Sequence, residues 1–246
     1  MSSVQSSVVL LDIEGTTTPI SFVYDVLFPY ARTRLRTFLE DHADEADVRG
    51  DLDLLLAENR HDASVSSGVP VIPENMSPPS LRMEGAYAYL VWLMDQDRKS
   101  PALKSLQGKI WEAGYAGGEI RSIIFPDIPT AFERWHQQGR RIVIYSSGSV
   151  LAQRLIFGHT QAGDLTRWIE AYFDTGVGAK TQSASYMNIA GELGVLPRDL
   201  LFVSDAPAEL DAATEAGLQV RLAVRPGNRA VPSTASYAAV MSFDEL

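Results

Sequence analysis

The stretch Val8-Val9-Leu10-Leu11-Asp12-Ile13-Glu14-Gly15-Thr16-Thr17-Thr18-Pro19 decides how the chain is read. Its first four residues are apolar without polar alternation, as a strand buried on both faces of a parallel sheet requires. The chemistry then changes abruptly to a polar loop with turn residues. A carboxylate such as Asp12 at the end of a buried strand can attack phosphorus and form an aspartyl phosphate. Glu14 beside it can protonate a leaving oxygen and later deprotonate water. Gly15 lets the backbone turn close to a ligand. The same residues would also make an ordinary strand-end turn, where Asp and Gly are common, so this stretch alone leaves both readings open.

Outward from it, the pattern differs on the two sides of about residue 120. Residues 129–138 read as a helix closed by Gly139, and Arg141-Ile142-Val143-Ile144-Tyr145 as a strand. Helices follow at 150–157 and 181–193, the second ending at Gly194. Leu200-Leu201-Phe202-Val203 is a strand leading into Ser204-Asp205, then a helix over 208–216 and a strand over 220–224. Strands alternating with helices predict an α/β fold with a doubly wound parallel sheet. Residues 23–117 read as mainly helical instead. Leu35, Phe38 and Leu39 recur at helical spacing over 32–39, and Tyr87, Leu90, Val91 and Met94 share a side over 85–97. Val69-Pro70-Val71-Ile72-Pro73 and Ser77-Pro78-Pro79 mark a loop between them, and Ser100-Pro101 is a helix start with Ser as cap. The expected organisation is a catalytic core of residues 1–22 and 118–246, with a helical cap domain, 23–117, inserted after the first strand. Ligands of such sheets sit at the C-terminal ends of the strands.

Three more polar clusters fall at such ends or before helices. Tyr145-Ser146-Ser147-Gly148-Ser149 offers hydroxyls and backbone N–H groups that cradle a phosphate; Ser149 is also an ordinary helix cap. Lys180, in Gly176-Val177-Gly178-Ala179-Lys180-Thr181, can present an ammonium to phosphate oxygens, although a lone Lys is usually solvated surface. Asp205 in Phe202-Val203-Ser204-Asp205 suits a hard cation such as Mg²⁺, which takes one or two protein carboxylates. It can equally cap the next helix, whose positive N-terminus Glu209 and Asp211 would favour.

Composition bounds the function. Of 246 residues, 46% are hydrophobic and 21% charged, ordinary for a globular protein with a sizeable core. The net charge of −10 argues against a nucleic-acid partner, whose phosphates demand a basic face. No run approaches the roughly 18 apolar residues of a membrane helix, so no membrane partner is expected. The opening residues carry no basic group before a hydrophobic stretch, so no secretory signal is expected. Cysteine is absent, which excludes disulfides and thiolate metal sites. Cytoplasm is the expected compartment. His42, His61, His136 and His159 show no metal-ligand spacing.

Taken in order, strand–Asp12-x-Glu14, strand–Ser146-Ser147, Lys180 before a helix and strand–Ser204-Asp205 resemble the ordered signature of the haloacid dehalogenase-like superfamily, over the whole chain. That superfamily has a Rossmannoid core, and most of its phosphatases carry Asp where this chain has Glu14. The string from Leu11 through Thr16-Thr17-Thr18-Pro19 to Val23 is similar to the opening of the enolase-phosphatase family of methionine salvage. So are Leu106-Gln107-Gly108-Lys109-Ile110-Trp111-Glu112-Ala113-Gly114-Tyr115, Phe157-Gly158-His159 and Val224-Arg225-Pro226-Gly227-Asn228.

This resemblance implies a bifunctional reaction on 2,3-diketo-5-methylthiopentyl-1-phosphate: enolisation, then dephosphorylation to the acireductone. It implies one Mg²⁺ per subunit and a monomer. It makes Asp12 the nucleophile and a metal ligand, Glu14 a metal-binding position through its backbone carbonyl with its carboxylate free for proton transfer, Ser146, Ser147 and Lys180 the phosphate binders, and Asp205 the second metal carboxylate. The enolisation base stays open among Glu14, Glu84 and Lys109; Trp111 and Tyr115 read as cap core or pocket wall. Two rivals remain. One is a related Mg²⁺-dependent phosphatase of another small phosphomonoester. The other is a non-catalytic phosphate-binding module, which would predict loss of Asp12, Lys180 or Asp205.

Overall fold

A computed structural model describes residues 6–73, 79–230 and 237–246. The chain forms two compact units, one of Met1–Val26 with Gly118–Leu246 and one of Leu27–Gly117.

The first unit is built on six parallel strands: β1 (Val8–Leu11), β2 (Arg141–Tyr145), β3 (Ile169–Phe173), β4 (Leu200–Ser204), β5 (Gln219–Ala223) and β6 (Ala239–Val240). Their order in the sheet is β3-β2-β1-β4-β5-β6. β1 lies between β2 and β4, with Leu11 opposite Ile144 on one side and Val203 on the other. A central strand is buried on both faces, which is why all four residues of β1 are apolar and fully buried. Side chains alternate across a strand, so Val8 and Leu10 face one layer and Val9 and Leu11 the other. Val8, Leu10, Val143, Tyr145, Leu200 and Phe202 form one core with Tyr186 and Ile189 of α7 (Ser183–Leu193) and Leu210 and Ala213 of α8 (Pro207–Glu215). Helices α5 (Ile128–Gln137) and α6 (Val150–Gly158) supply the buried aromatic cluster Phe132, Trp135 and Phe157, closed by Phe243. Burying each such side chain contributes about 1.5–3 kcal/mol. The chain order reverses between β1 and β4, the switch point beyond whose carboxyl ends a doubly wound sheet binds its ligand.

The second unit is four helices: α1 (Phe28–His42), α2 (Ala46–Val65), α3 (Pro79–Asp95) and α4 (Pro101–Ala116). Leu35, Leu39, Leu55, Tyr89, Leu90, Leu93, Leu106 and Ile110 are among its buried residues. Ser100 caps α4 by accepting from Leu103 N–H, with Pro101 in the first turn. Trp111 is buried and donates to the Leu27 carbonyl, so it is core here; Tyr115 is buried too. Residues 69–73 are a loop, tied to α2 by Asn59, whose amide bonds Pro70 and Ile72. Ser77 and Pro78 of the expected loop lie outside the described residues, and Pro79 opens α3. The buried face of α3 differs from the sequence expectation. It is Ala86, Tyr89, Leu90 and Leu93, while Tyr87, Val91 and Met94 are half-buried. Tyr89 takes the inside position because its hydroxyl donates to the buried Asp62 carboxylate, a polar handle that hydrophobic periodicity alone does not weigh. No helix among the described residues is long and apolar enough to cross a membrane.

Candidate active site

The loop after β1 is built to hold one carboxylate still. Asp12 N–H donates to the Val203 carbonyl at 3.0 Å, so sheet pairing runs one residue past the strand. The N–H groups of Thr16, Thr17 and Thr18 all converge on the Ile13 carbonyl, and Thr17 Oγ1 bonds the carbonyls of Asp12 and Ile13. Gly15 has φ +69, and a Cβ there would stand 2.3 Å from Asp205 Oδ2. Both the backbone angle and the close approach require glycine. The loop's outward carbonyls are tied as well. Asn228 Nδ2 donates to Gly15, Arg225 Nε to Thr16 and Phe125 N–H to Thr17. Arg225 is buried between the rings of Phe125 and Phe243 and bonds Asp127 at 2.8 Å.

Lys180 meets Asp12 directly. Its Nζ lies 2.5 Å from Asp12 Oδ1 and 2.7 Å from Glu209 Oε2, and the ammonium sits 5.8 and 5.9 Å from the ring centres of Tyr145 and Phe202. The backbone that delivers it is nailed by three hydroxyls. Tyr145 donates to the Gly178 carbonyl, Ser185 to Ala179 and Tyr186 to Lys180. Ser204, ending β4, donates to Glu209 Oε2 at 2.8 Å and lies 3.4 Å from Asp12 Oδ2. Its oxygen accepts from Ala206 N–H. Asp205 does not cap α8, whose N-cap residue is Ala206 and which has no side-chain cap hydrogen bond, and Glu209 does more than favour a helix end.

The electrostatics follow from burial. Desolvation opposes charge on Lys180, but Asp12 and Glu209 outweigh it and raise its pKa, so the lysine is a permanent cation. Burial, followed by the charge of Asp12, raises Glu209 despite Lys180. Burial first, then Asp12 and Glu209, pushes Asp205 up to about 7; Lys180 opposes and Glu14 adds to this. Carboxylates outnumber the one ammonium, so the cluster has room for more positive charge. Among the described residues no three His, Asp or Glu side chains stand together as a complete metal-ligating group. Mg²⁺ needs no such group, because it uses one or two carboxylates with carbonyl and water oxygens. Asp12, Asp205 and the carbonyls of their loop fit that donor set, and a divalent ion would relieve the repulsion that raises Asp205.

Next to this cluster, β2 delivers Ser146. It is buried, its N–H bonds the Phe173 carbonyl, and its Oγ accepts from Gly148 N–H, which leaves the hydroxyl hydrogen to give. Gln153 is fully buried and donates to the carbonyls of Gly148 and Phe173, bracing the loop. Ser147 is half-buried and Ser149 caps α6. Glu14 is half-buried in the β1 loop. Asp12, Lys180 and Asp205 thus come together from distant parts of the chain, Glu209 joins them without a distinguishing sequence signal, and Asn228, from the string over 224–228, ties the Gly15 loop. His136 packs on Trp168 and, within the helical unit, His42 pairs with Glu45.

A family model described as haloacid dehalogenase-like hydrolase matches residues 7–217. The enolase-phosphatase E1 of Synechococcus elongatus is 49% identical over 243 residues, 99% of this chain and 98% of that one. The enolase-phosphatase E1 of Drosophila melanogaster is 45% identical over 92% of this chain and 86% of its own. Among solved structures, the Unknown transcript 4 protein of Saccharomyces cerevisiae superposes with a TM-score of 0.78 at 35% identity, over 98% of this chain and 100% of that one. The arrangement of Asp12, Lys180 and Asp205 at a sheet switch point and the full-length identity agree: the chain belongs to the enolase-phosphatase E1 family of haloacid dehalogenase-like hydrolases.

Proposed function

We propose that the chain converts 2,3-diketo-5-methylthiopentyl-1-phosphate, through an enol phosphate, to the acireductone and inorganic phosphate, as a cytoplasmic monomer with one Mg²⁺. Phosphatases of this family generally use that ion. The observation that carries the reading is the buried contact of Lys180 Nζ with Asp12 Oδ1 at 2.5 Å. It fixes the carboxylate and leaves Oδ2, which lies 3.4 Å from Ser204 Oγ, as the attacking oxygen.

In the transfer step a bond forms from Asp12 Oδ2 to phosphorus as the ester P–O bond breaks. Glu14 gives the leaving oxygen its proton. Water then attacks the aspartyl phosphate, Glu14 takes its proton, and phosphate leaves with Asp12 restored. Lys180 and the hydroxyls of Ser146 and Ser147 receive the charge of the transferring group. Mg²⁺, held by Asp12, Asp205 and the Glu14 carbonyl, would supply further positive charge and polarise a substrate carbonyl for enolisation. Among bases for that first step, Glu14 is favoured. Glu84 is gripped by both nitrogens of Arg36, which lowers its pKa and weakens it as a base. Lys109 is engaged by Asp47 and Asp51. The helical unit is assigned the part of a cap that selects the substrate.

Asp12→Asn tests the reading. With the diketone phosphate and Mg²⁺, enol absorbance and phosphate release are followed together. The variant should fold and release no inorganic phosphate. Wild-type phosphate release by the variant would remove Asp12 from the role of nucleophile.

A further inference from the structure

Asn228 carries a buried oxygen with no hydrogen-bond partner among the described residues. The orientation of its amide is fixed by its surroundings. Nδ2 donates to the Gly15 carbonyl at 2.9 Å and to the Ala223 carbonyl at 3.2 Å. A flipped amide would set an oxygen against two carbonyl oxygens, so Oδ1 points the other way. There it is buried and has no hydrogen-bond partner among the described residues. Buried acceptors in folded proteins are nearly always satisfied, and an exception points to a water or ion at the site.

The neighbourhood says which. A Cβ built on Gly15 would stand 2.9 Å from Asn228 Oδ1 and 2.3 Å from Asp205 Oδ2. Two acceptor oxygens, one of an amide and one of a carboxylate, therefore converge over the Gly15 α-carbon. Amide and carboxylate oxygens are both acceptors. A water satisfies both, and a water beside Asp205 belongs to the shell of the cation that Asp12 and Asp205 hold. We propose that Asn228 Oδ1 accepts a hydrogen bond from a water of that shell, which makes Asn228 a positioning residue of the cation site. The inference rests on the Mg²⁺ site proposed above. One side chain then does two jobs: Nδ2 pins the loop that carries Asp12 and Glu14, and Oδ1 orients the ion's water. Partners one bond removed from a metal typically set its affinity by about 10- to 100-fold.

The test is calorimetric titration of Mg²⁺ into the substrate-free protein, with thermal unfolding of the metal-free protein alongside. Asn228→Leu should raise the Mg²⁺ Kd by about tenfold or more. Asn228→Asp keeps an acceptor at Oδ1 and loses the donor to Gly15, so it should unfold as early as the Leu variant yet recover Mg²⁺ affinity. Equal loss of affinity in both would assign the effect to the Gly15 tie and overturn the inference. A wild-type Kd in Asn228→Leu would do the same, whatever its Tm. Should the Leu variant fail to fold, Asn228→Ser decides by the same criterion. Asp205→Asn separates the two levels: if wild type binds no Mg²⁺, or this variant binds it unchanged, the cation site itself fails.

Discussion

Two lysines in this protein are each flanked by two carboxylates, and they do different things. Lys109 of α4 reaches Asp51 and, at 3.4 Å, Asp47, one helical turn apart on α2. Lys180 reaches Asp12 and Glu209. The inventories match, but the surroundings do not. Asp47 is 63% exposed, so water screens and competes for that contact, while Lys109 and Asp51 are 19% and 14% exposed. Asp12 and Lys180 are 8% and 6% exposed. Their charges cannot be satisfied by solvent, and the surrounding dipoles and hydroxyls must hold them. Buried charge is costly unless paired, and here the pairing fixes the carboxylate proposed as the nucleophile. Depth of burial, not the residue types, sets the two clusters apart.

The sharpest way to break this comparison is to remove the Lys180 ammonium while keeping its volume. Lys180→Met leaves Asp12 and Glu209 buried and facing each other. Loss of one partner of a buried charge pair costs about 3–5 kcal/mol, and loss of a cation aimed at a transferring phosphate costs about 100- to 1000-fold in kcat. Urea unfolding and phosphate release measure the two. Adding Glu209→Gln should return part of the stability and none of the activity. Wild-type kcat in Lys180→Met would place Lys180 on the same footing as Lys109.

The sequence carries much of this, unevenly. β1, β2, β4 and β5 are legible because β1, β2 and β4 are runs of Val, Ile and Leu in the middle of a parallel sheet and β5 lies next to them. β3, Ile-Glu-Ala-Tyr-Phe at the sheet edge, has a single buried residue and leaves no such run. β6 has only two residues. Asp12 and Asp205 are legible as strand-end carboxylates, and Lys180 through its place in the order of motifs. Glu209 is not, because an acidic residue in the first turn of a helix is common for its own reason, and its partner lies 29 positions earlier in the chain. Gln153 and Asn228 are neutral amides. Nothing in their local sequence says that each will brace a loop, and only three-dimensional hydrogen-bond accounting finds them.

A smaller effect separates the two regions by pH. Asp205 is pushed up to about 7 by burial and by Asp12 and Glu209. Its folded pKa lies above its ordinary value, so its contribution to stability is fully present below pH 3.8 and is lost as pH rises through about 7. The proton and Mg²⁺ compete for the same carboxylate. Metal-free protein should therefore lose stability between about pH 4 and 7 through this group, while Mg²⁺ affinity rises over the same window. Asp205→Asn should flatten both trends, read as the difference from wild type in Tm and in Kd. Unchanged pH dependence in that variant would mean that another group titrates there.

The smallest effect on activity belongs to Lys109, and it is the one that can redraw the comparison. Lys109 and Asp51 are 19% and 14% exposed, so Lys109→Ala should cost between the roughly 1 kcal/mol of a surface pair and the about 3–5 kcal/mol of a buried one, seen as a shift of the urea midpoint. Enol formation and phosphate release should both stay within about threefold of wild type, since a residue outside the chemistry changes neither barrier by more than a fraction of the 1.4 kcal/mol that a factor of ten requires. A selective outcome would say otherwise. If Lys109→Ala keeps its stability and releases phosphate from a ready-made enol phosphate at the normal rate, but no longer forms the enol from the diketone, then Lys109 acts in the proton-transfer step. The two lysines would then share one pathway, with Lys180 serving phosphorus and Lys109 serving carbon, and exposure would no longer mark the difference between structure and catalysis.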